Sequence, residues 1–344
     1  MTCRSEPFSS CWSSSAGTSG GAGGVGANGG AGPAGGAGPA GGAGKGGAAA
    51  TGGAGTGGSG VAGSGGSAPG DRGTPAGVCA RWNADRANLS EGTWSGNIAS
   101  CMAGDISADG RANALRLFNL YRWLAELPAV TTEASRDAQA QACALMQDAN
   151  NTLSHEPPMS WLCWTQLGAD GSSSSNISGG PGVSSVDLYM LDNGNETTFG
   201  HRRIVLSNEL GPIGLGSTGP GGASCMQNLR GTGRAGKTWM AWPSPGIMPL
   251  QAIRRSANSS LDRTGWSVQS NTIDVTAATV TITAGGVDQP ITKSNLTGSY
   301  GGARYAIRMV PNGWTTQAGQ TYTVNLAGTS TPISYMVQVV DCAM

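Results

Sequence analysis

A long glycine- and alanine-rich segment near the start of the chain limits where a folded core can form. Between Ser19 and Gly70, only 13 of the 52 positions hold a residue other than glycine or alanine. Such a segment has almost no apolar side chain to bury, and ordering its backbone costs much conformational entropy. We therefore expect residues 1–78 to form a disordered tether, with the folded part of the chain after it.

The 266 residues from Cys79 to Met344 are long enough for two domains. Apolar residues follow a helical period, mixed with short strands, until about residue 250, and then alternate with polar residues between Gly/Pro/Asn turns. The pattern predicts an α+β chain with an irregular arm at 79–106, a mixed domain at 107–250 and a β-sandwich module at 251–344. The last module resembles a small immunoglobulin-like sandwich, without a diagnostic motif.

Two helices are expected at the start of the mixed domain. The first runs from Asp109 through Leu127, because four apolar residues fall on one face and Pro128 then ends the helix; they are Leu117, Leu120, Tyr121 and Leu124. The second opens at Thr132 and presents a narrow face of small residues, mostly alanines. His155 follows this second helix, so we expect it just beyond a helix end.

The charge balance and the hydropathy exclude two classes of partner. Acidic and basic residues number 20 each, and no basic stripe typical of nucleic-acid binders is visible. No stretch reaches the roughly 18 apolar residues of a transmembrane helix. The first five residues do not open a signal peptide, and we expect an export signal upstream of Met1, because a long tether is useful when something is anchored before it. The sequence thus favours an extracellular or cell-surface anchored protein.

Six of the eight cysteines lie after the tether, at Cys79, Cys101, Cys143, Cys163, Cys225 and Cys342. An even number in an extracytoplasmic chain favours disulfides over reduced, buried thiols, although the pairing cannot be deduced from the sequence. Cys163 is the natural partner for Cys143, which would close a loop around His155. Cys79 or Cys101 would tie the arm to the mixed domain.

Five short motifs follow one another in a fixed order in the mixed domain. They are Leu153-Ser154-His155-Glu156-Pro157, Ser175-Asn176-Ile177-Ser178, Tyr189-Met190-Leu191-Asp192, Phe199-Gly200-His201-Arg202-Arg203 and Ile213-Gly214-Leu215-Gly216. The ordered set resembles the CAP superfamily, also called the SCP domain, and most closely its bacterial branch. The resemblance covers roughly residues 107–245 and implies a three-layer α-β-α sandwich.

The resemblance also implies a cleft, lined here by His155, Ser175, Asn176, Asp192 and His201. His155 and His201 match the family's two histidines, and Asp192 falls at the acid of its aromatic-x-x-Glu turn. Ser175 stands where the family has its other glutamate, which removes one acid of the set. Some family members bind a divalent metal in this cleft, so zinc or a similar ion is the cofactor to test, with His155 and His201 as ligands and Asp192 as a third.

Three classes of function follow. The first is a surface binding module for an envelope polymer or a lipid, as in family members that bind sterols and lipids. The second is a metal-assisted hydrolase using the two histidines, although no catalytic residue is assigned, because a nucleophile with an orienting acid is not visible. The third is a structural or adhesive protein whose partner is another surface protein.

Two groups of residues near these motifs have alternative interpretations. Arg202 and Arg203 follow His201. They either form an anion clamp or act as structural residues that hold the helices. The tryptophans are core residues or surfaces on which carbohydrate stacks; they are Trp161, Trp164, Trp239 and Trp242.

Overall fold

The computed structural model describes residues 70–229, 231–256 and 258–343, and over these residues the protein is an α+β fold. The predicted tether lies outside the described residues as far as residue 69. Its predicted end at residue 78 is wrong, because helix α1 covers Pro75–Arg86. The Thr74 hydroxyl accepts a hydrogen bond from the Gly77 N–H at 3.1 Å, and Pro75 follows at the first helical position, a strong start signal.

The first part of the predicted irregular arm is therefore helical. From residue 87 to residue 106 the arm has only isolated bridges, which pair Trp94 with Ile106 and Asn97 with Met102. The Glu91 carboxylate reaches from this arm to the start of a later helix, where it accepts the N–H groups of Val183 at 2.6 Å and Ser184 at 2.9 Å. A carboxylate at a helix N-terminus satisfies free N–H groups and complements the helix dipole.

Helices α2, Ala108–Leu124, and α3, Ala134–Ala149, form where the sequence predicts helices. The expected apolar face of α2 is buried. The helix ends three residues earlier than predicted, because Glu126 takes a left-handed conformation with φ of 54°. Three shorter helices follow: α4, Gln166–Ser173, α5, Gly182–Leu191, and α6, Gly200–Val205.

A small antiparallel sheet lies among these helices. It contains β1, Ser175–Ser178, β2, Gly214–Ser217, and β3, Ser224–Gln227, in the order β1-β3-β2. Ile177 and Cys225 pack with Ala140 and Ala144 of α3 on one face, whereas Met226 on the other face belongs to the core that includes α2 and α5. Helices therefore cover both faces of the sheet.

Two larger sheets form the C-terminal part. The four-stranded sheet has the order β4-β6-β10-β9, and its strands are Trp239–Trp242, Trp266–Ser270, Tyr305–Pro311 and Ile291–Asn295. The five-stranded sheet has the order β5-β12-β11-β7-β8, and its strands are Gly246–Pro249, Ile333–Val340, Thr321–Ala327, Thr279–Ala284 and Val287–Asp288. Short helices α7, Leu250–Ile253, and α8, Leu261–Thr264, lie between β5 and β6.

The two sheets pack face to face and share one core with the helices. Trp266 of the first sheet meets Tyr322 of the second edge-on, with 5.6 Å between ring centroids. Trp242 contacts Tyr121 of α2 in the same way at 5.6 Å. Strands β4 and β5 lie ahead of the predicted boundary at residue 250 but pair with β6 and β12, so the sheets begin before that boundary.

All six cysteines of the described chain form disulfides, which pair Cys79 with Cys342, Cys101 with Cys163, and Cys143 with Cys225. The predicted Cys143–Cys163 bond is wrong. Cys143 points from α3 into the sheet core, where Cys225 lies opposite Ile177, while Cys163 lies in a partly exposed loop. Both candidate cysteines of the N-terminal arm are bonded, Cys79 to the C-terminal end and Cys101 to the mixed region.

Candidate functional site

Asp192 is the central acid of the candidate site. It ends α5 in a left-handed conformation with φ of 53°, and its side chain is fully buried. One carboxylate oxygen, Oδ2, accepts the Arg202 backbone N–H at 3.0 Å. The other, Oδ1, lies 2.9 Å from His201 Nδ1 and accepts the Asn195 amide at 3.0 Å. Both oxygens of Asp192 are therefore already bonded within the protein.

His201 is held in one orientation by its neighbours. It lies in the first turn of α6, and its ring packs against Tyr189 with 5.0 Å between centroids. Because the Asp192 carboxylate can only accept, the imidazole donates from Nδ1, and its Nε2 keeps a free lone pair. With 16% of the side chain exposed, His201 presents this nitrogen at a largely buried position.

His155 is fixed in the same tautomer by a different acceptor. Its Nδ1 lies 2.9 Å from the Ser172 carbonyl oxygen at the end of α4, so Nδ1 donates and Nε2 is again free. The pKa of His155 is lowered, chiefly because burial disfavours the imidazolium, while the Ser172 bond acts in the opposite direction.

Asn176 belongs to this group of residues, but Ser175 faces another way. The Asn176 amide donates to the His201 carbonyl at 3.3 Å, and the Tyr189 hydroxyl donates to the Asn176 carbonyl at 3.2 Å. Side chains alternate along a strand, so Ser175 shares the face of Ile177, which packs toward α3. The Ser175 hydroxyl is buried without a hydrogen-bond partner among the described residues.

The structure therefore links Asn176 and Asp192 to His201 by hydrogen bonds and leaves Ser175 apart, while the bond of His155 is to Ser172. Sequence reasoning missed Tyr189 and Asn195 as site residues. Tyr189 was named only as the aromatic residue of its motif, and Asn195 lies in a loop with no periodic signal. The Asn195 amide nitrogen lies 3.0 Å from His201 Nδ1, the same ring nitrogen that faces Asp192.

Arg202 and Arg203 are structural residues. Arg202 is fully buried and donates to the carbonyl oxygens of Met190, Leu191 and Gly265 at 2.7–2.9 Å. Arg203 donates to four carbonyl oxygens, three of them in the loop that precedes β10: Thr297 at 3.0 Å, Gly298 at 3.0 Å and Ala303 at 2.7 Å. Burial lowers the pKa of each guanidinium to about 10, so both remain charged at neutral pH. The two residues attach the His201 helix, α6, to the C-terminal part of the chain. Because their donors are used in these bonds, they do not form an anion clamp.

The residues present do not fit a resident metal ion. Zinc prefers three or four protein ligands, and the site offers two free nitrogens, His155 Nε2 and His201 Nε2. Asp192, the expected third ligand, is bonded to His201 and Arg202 instead. Within residues 70–229, 231–256 and 258–343, no group of three or more His, Cys, Asp or Glu residues is arranged to hold a metal.

An uncharged loop directly follows His155. We define the apolar loop as Pro157–Thr165, which has no acidic or basic side chain. Met159 is 78% exposed and Leu162 is 54% exposed, whereas such residues are normally buried. Asn150 holds Leu162 by two hydrogen bonds of 3.0 Å, and the Cys101–Cys163 disulfide anchors the loop again. The exposed apolar surface is thus fixed in place.

Comparison of the chain with protein-family models, with curated proteins and with solved structures finds no match. Among the helices of the described residues, none is long and apolar enough to cross a membrane.

Proposed function

We propose that the chain is an extracytoplasmic CAP-type protein that acts as a cell-surface binding module for an envelope polymer or a lipid. The observation that carries this proposal is the rigid, exposed apolar loop beside His155. Exposed apolar patches with polar rims mark interaction sites, and tryptophans next to them suit a boundary between apolar and wet surroundings. Trp161 and Trp164 lie partly buried within this loop.

Three further observations support the family and the compartment. The five motifs occur in the family's order, and helices cover both faces of the small sheet, as a three-layer CAP sandwich requires. Six paired cysteines suit an oxidising compartment. The face-to-face packing of the two C-terminal sheets supports an immunoglobulin-like module beside the CAP domain.

The state of the acids favours binding over catalysis. A general acid or base must be free to exchange a proton with a substrate. Asp192 is buried with both oxygens bonded, and Ser175, at the second acid position, has no titratable side chain and faces α3. The residues that remain do not supply an acid–base pair.

Co-sedimentation tests this function. The full chain, with its disulfides intact, is mixed with purified murein sacculi and, separately, with vesicles of phosphatidylcholine and phosphatidylglycerol. We expect it to pellet with one of the two. Because the apolar loop is uncharged, we expect the bound fraction to change little between about 0.1 M and 1 M salt, where screening becomes strong. A protein that stays in the supernatant with both probes contradicts the proposal.

A metal-assisted hydrolase is the second candidate, favoured by the matching tautomers of His155 and His201. Each imidazole donates from Nδ1 to an oxygen, the arrangement that orients histidine ligands through Nε2. Since no third ligand accompanies them, a bound ion would be held weakly, and we derive no hydrolytic step from it. The zinc titration described below separates this candidate from the first.

A further inference from the structure

A groove lies around the segment Gly236–Thr238, which precedes β4. Two cavities, of about 300 Å³ and about 200 Å³, lie on either side of this segment and share it as a wall. Their combined size reaches the lower part of the range of roughly 300–1,000 Å³ found for small-molecule sites. Together they form one groove, with Glu126 and Trp239 in the larger cavity and Glu209 and Asn271 in the smaller one.

The dividing wall is held rigidly. Asn208 bonds both backbone groups of Lys237, donating to its carbonyl at 2.7 Å and accepting from its N–H at 3.0 Å. The Ser270 hydroxyl donates to the Thr238 carbonyl at 2.6 Å. Thr238 itself is exposed and lines both cavities. A preformed groove saves the entropy cost of ordering a loop when a ligand binds.

Trp239 gives the larger cavity an aromatic surface. The indole is partly exposed, and it packs against the buried ring of Tyr335 with 5.4 Å between centroids and a tilt of 37°. Tyr335 therefore fixes the indole from behind. An aromatic ring beside hydroxyl and carboxylate groups is suited to a sugar, whose ring has apolar C–H faces and polar edges.

The charges of the groove nearly cancel. Lys237 Nζ lies 2.8 Å from one Glu126 oxygen, and Arg72 pairs with the other oxygen at 2.5 Å. The hydrogen bond from Lys237, with further help from Arg72, lowers the pKa of Glu126, so the carboxylate is ionised at neutral pH and can accept from hydroxyl groups. The exposed Glu209 carboxylate adds one negative charge at the other end. Such a groove has no positive field to select an anionic polymer.

We propose that this groove binds a neutral oligosaccharide chain, with one sugar ring stacked on Trp239 and neighbouring hydroxyl groups bonded to Glu126, Lys237 and Thr238. An extended peptide added to edge strand β4 is the competing occupant. Three residues of β4 argue against it, because Met240, Ala241 and Trp242 are only 6%, 3% and 0% exposed. A strand added beside β4 would therefore have no continuous exposed edge to pair with beyond Trp239.

This inference rests on the proposed function, since it names the class of polymer and the surface that binds it, but the two can fail separately. The apolar loop and the groove are different surfaces with different variants. The protein could pellet with sacculi or vesicles through its apolar loop while no sugar binds the groove. That result would leave the surface-binding function in place and remove only the oligosaccharide assignment.

Isothermal titration of the full, oxidised chain tests the groove with three neutral tetrasaccharides, of β-1,4-linked glucose, N-acetylglucosamine and mannose. We expect at least one of them to bind. Trp239→Ala should weaken its dissociation constant at least tenfold, and Thr238→Arg, which fills the groove and leaves Trp239 in place, should abolish binding. Thr331→Arg, the same change at an exposed threonine that lines neither cavity, is the matched control and should bind as the parent does.

Folding of each variant is checked by circular dichroism, and Thr238→Arg decides the question if Trp239→Ala fails to fold. Absence of binding by all three sugars, or unchanged binding by Thr238→Arg, would overturn the proposal. A capped extended peptide, acetyl-Thr-Val-Thr-Val-amide, is titrated in parallel. If the peptide binds, Thr238→Arg blocks its binding and no sugar binds, the groove is a site for a peptide strand instead.

Discussion

The Asp192 carboxylate lies 2.9 Å from Nδ1 of His201 and, through its other oxygen, 3.0 Å from the backbone nitrogen of Arg202. This single side chain therefore fixes both the tautomer of the histidine and the start of its helix.

Replacing Asp192 by asparagine should separate these two contributions. The amide oxygen can still accept from His201, but the amide nitrogen then faces the Arg202 N–H, and two donors meet at a buried position. We expect the free energy of unfolding to fall by about 1–3 kcal/mol, the usual penalty for a buried unsatisfied group. Urea unfolding measures it. Asp288→Asn, at an exposed position of β8, is the control and should change stability by less than about 0.5 kcal/mol.

The lowered pKa of His155 predicts a pH dependence of stability. The unfolded chain binds a proton near the ordinary histidine value of about 6.5, while the folded protein resists protonation until a lower pH. The stabilising contribution of neutral His155 is therefore complete above that value and is lost as the pH falls through it toward the folded pKa. His155→Gln should lose less stability than the parent between pH 7.5 and pH 5.5, as measured by urea unfolding. Equal losses in both proteins would contradict this.

Glycine at Gly216 is required by the close packing of α3 on β2. A Cβ atom there would lie 2.2 Å from the Ala140 carbonyl carbon, and helix backbone cannot move aside as a side chain can. We expect Gly216→Ala to destabilise the fold by about 1–3 kcal/mol, a typical cost of overpacking. Gly179→Ala, at a position with no heavy atom within 4 Å, is the matched control. Thermal unfolding of both variants checks the difference.

Zinc should bind the intact protein weakly. With two free imidazole nitrogens and no third ligand, we expect micromolar affinity or weaker in calorimetric titration at pH 7.5. His155→Ala or His201→Ala should remove most of the binding, and acidification should weaken it, because only neutral imidazole binds the ion. Tight binding, or binding that survives replacement of both histidines, would show that zinc has further ligands that this site does not provide.

Sequence reasoning predicted well where a local pattern sets the structure. The helical period of Leu117, Leu120, Tyr121 and Leu124 predicted the buried face of α2, and alternation predicted the β-rich C-terminal part. Helix α1 was missed because its start signal, Thr74-Pro75, follows a glycine-rich stretch, and its apolar face is weak. The strands β4 and β5 were assigned to the preceding region because nothing local tells a strand which sheet it joins.

The site was predicted only in part for a similar reason. Motif order selected His155, Asn176, Asp192 and His201, but the pairing of Cys143 depends on which face of α3 meets the sheet. Ser175 follows Ser174 directly into β1, and only its place in that strand shows that it faces α3 and not His201. Asn195 carries no local signal, because a loop residue acquires its role from the fold around it.

The bound fraction of two methionine variants tests the central claim, that the apolar loop beside His155 is a binding surface, most directly. Met159→Glu places a charge on the apolar loop, at a side chain that is 78% exposed, and Met336→Glu places the same charge on β12, at one that is 61% exposed. Burying a methionine side chain contributes about 1.5–3 kcal/mol to binding. A variant that cannot bury this side chain should therefore bind at least about tenfold more weakly. In co-sedimentation with the probe that pellets the parent protein, we expect Met159→Glu to remain in the supernatant and Met336→Glu to pellet as the parent does. Equal pelleting of the two variants would contradict the claim.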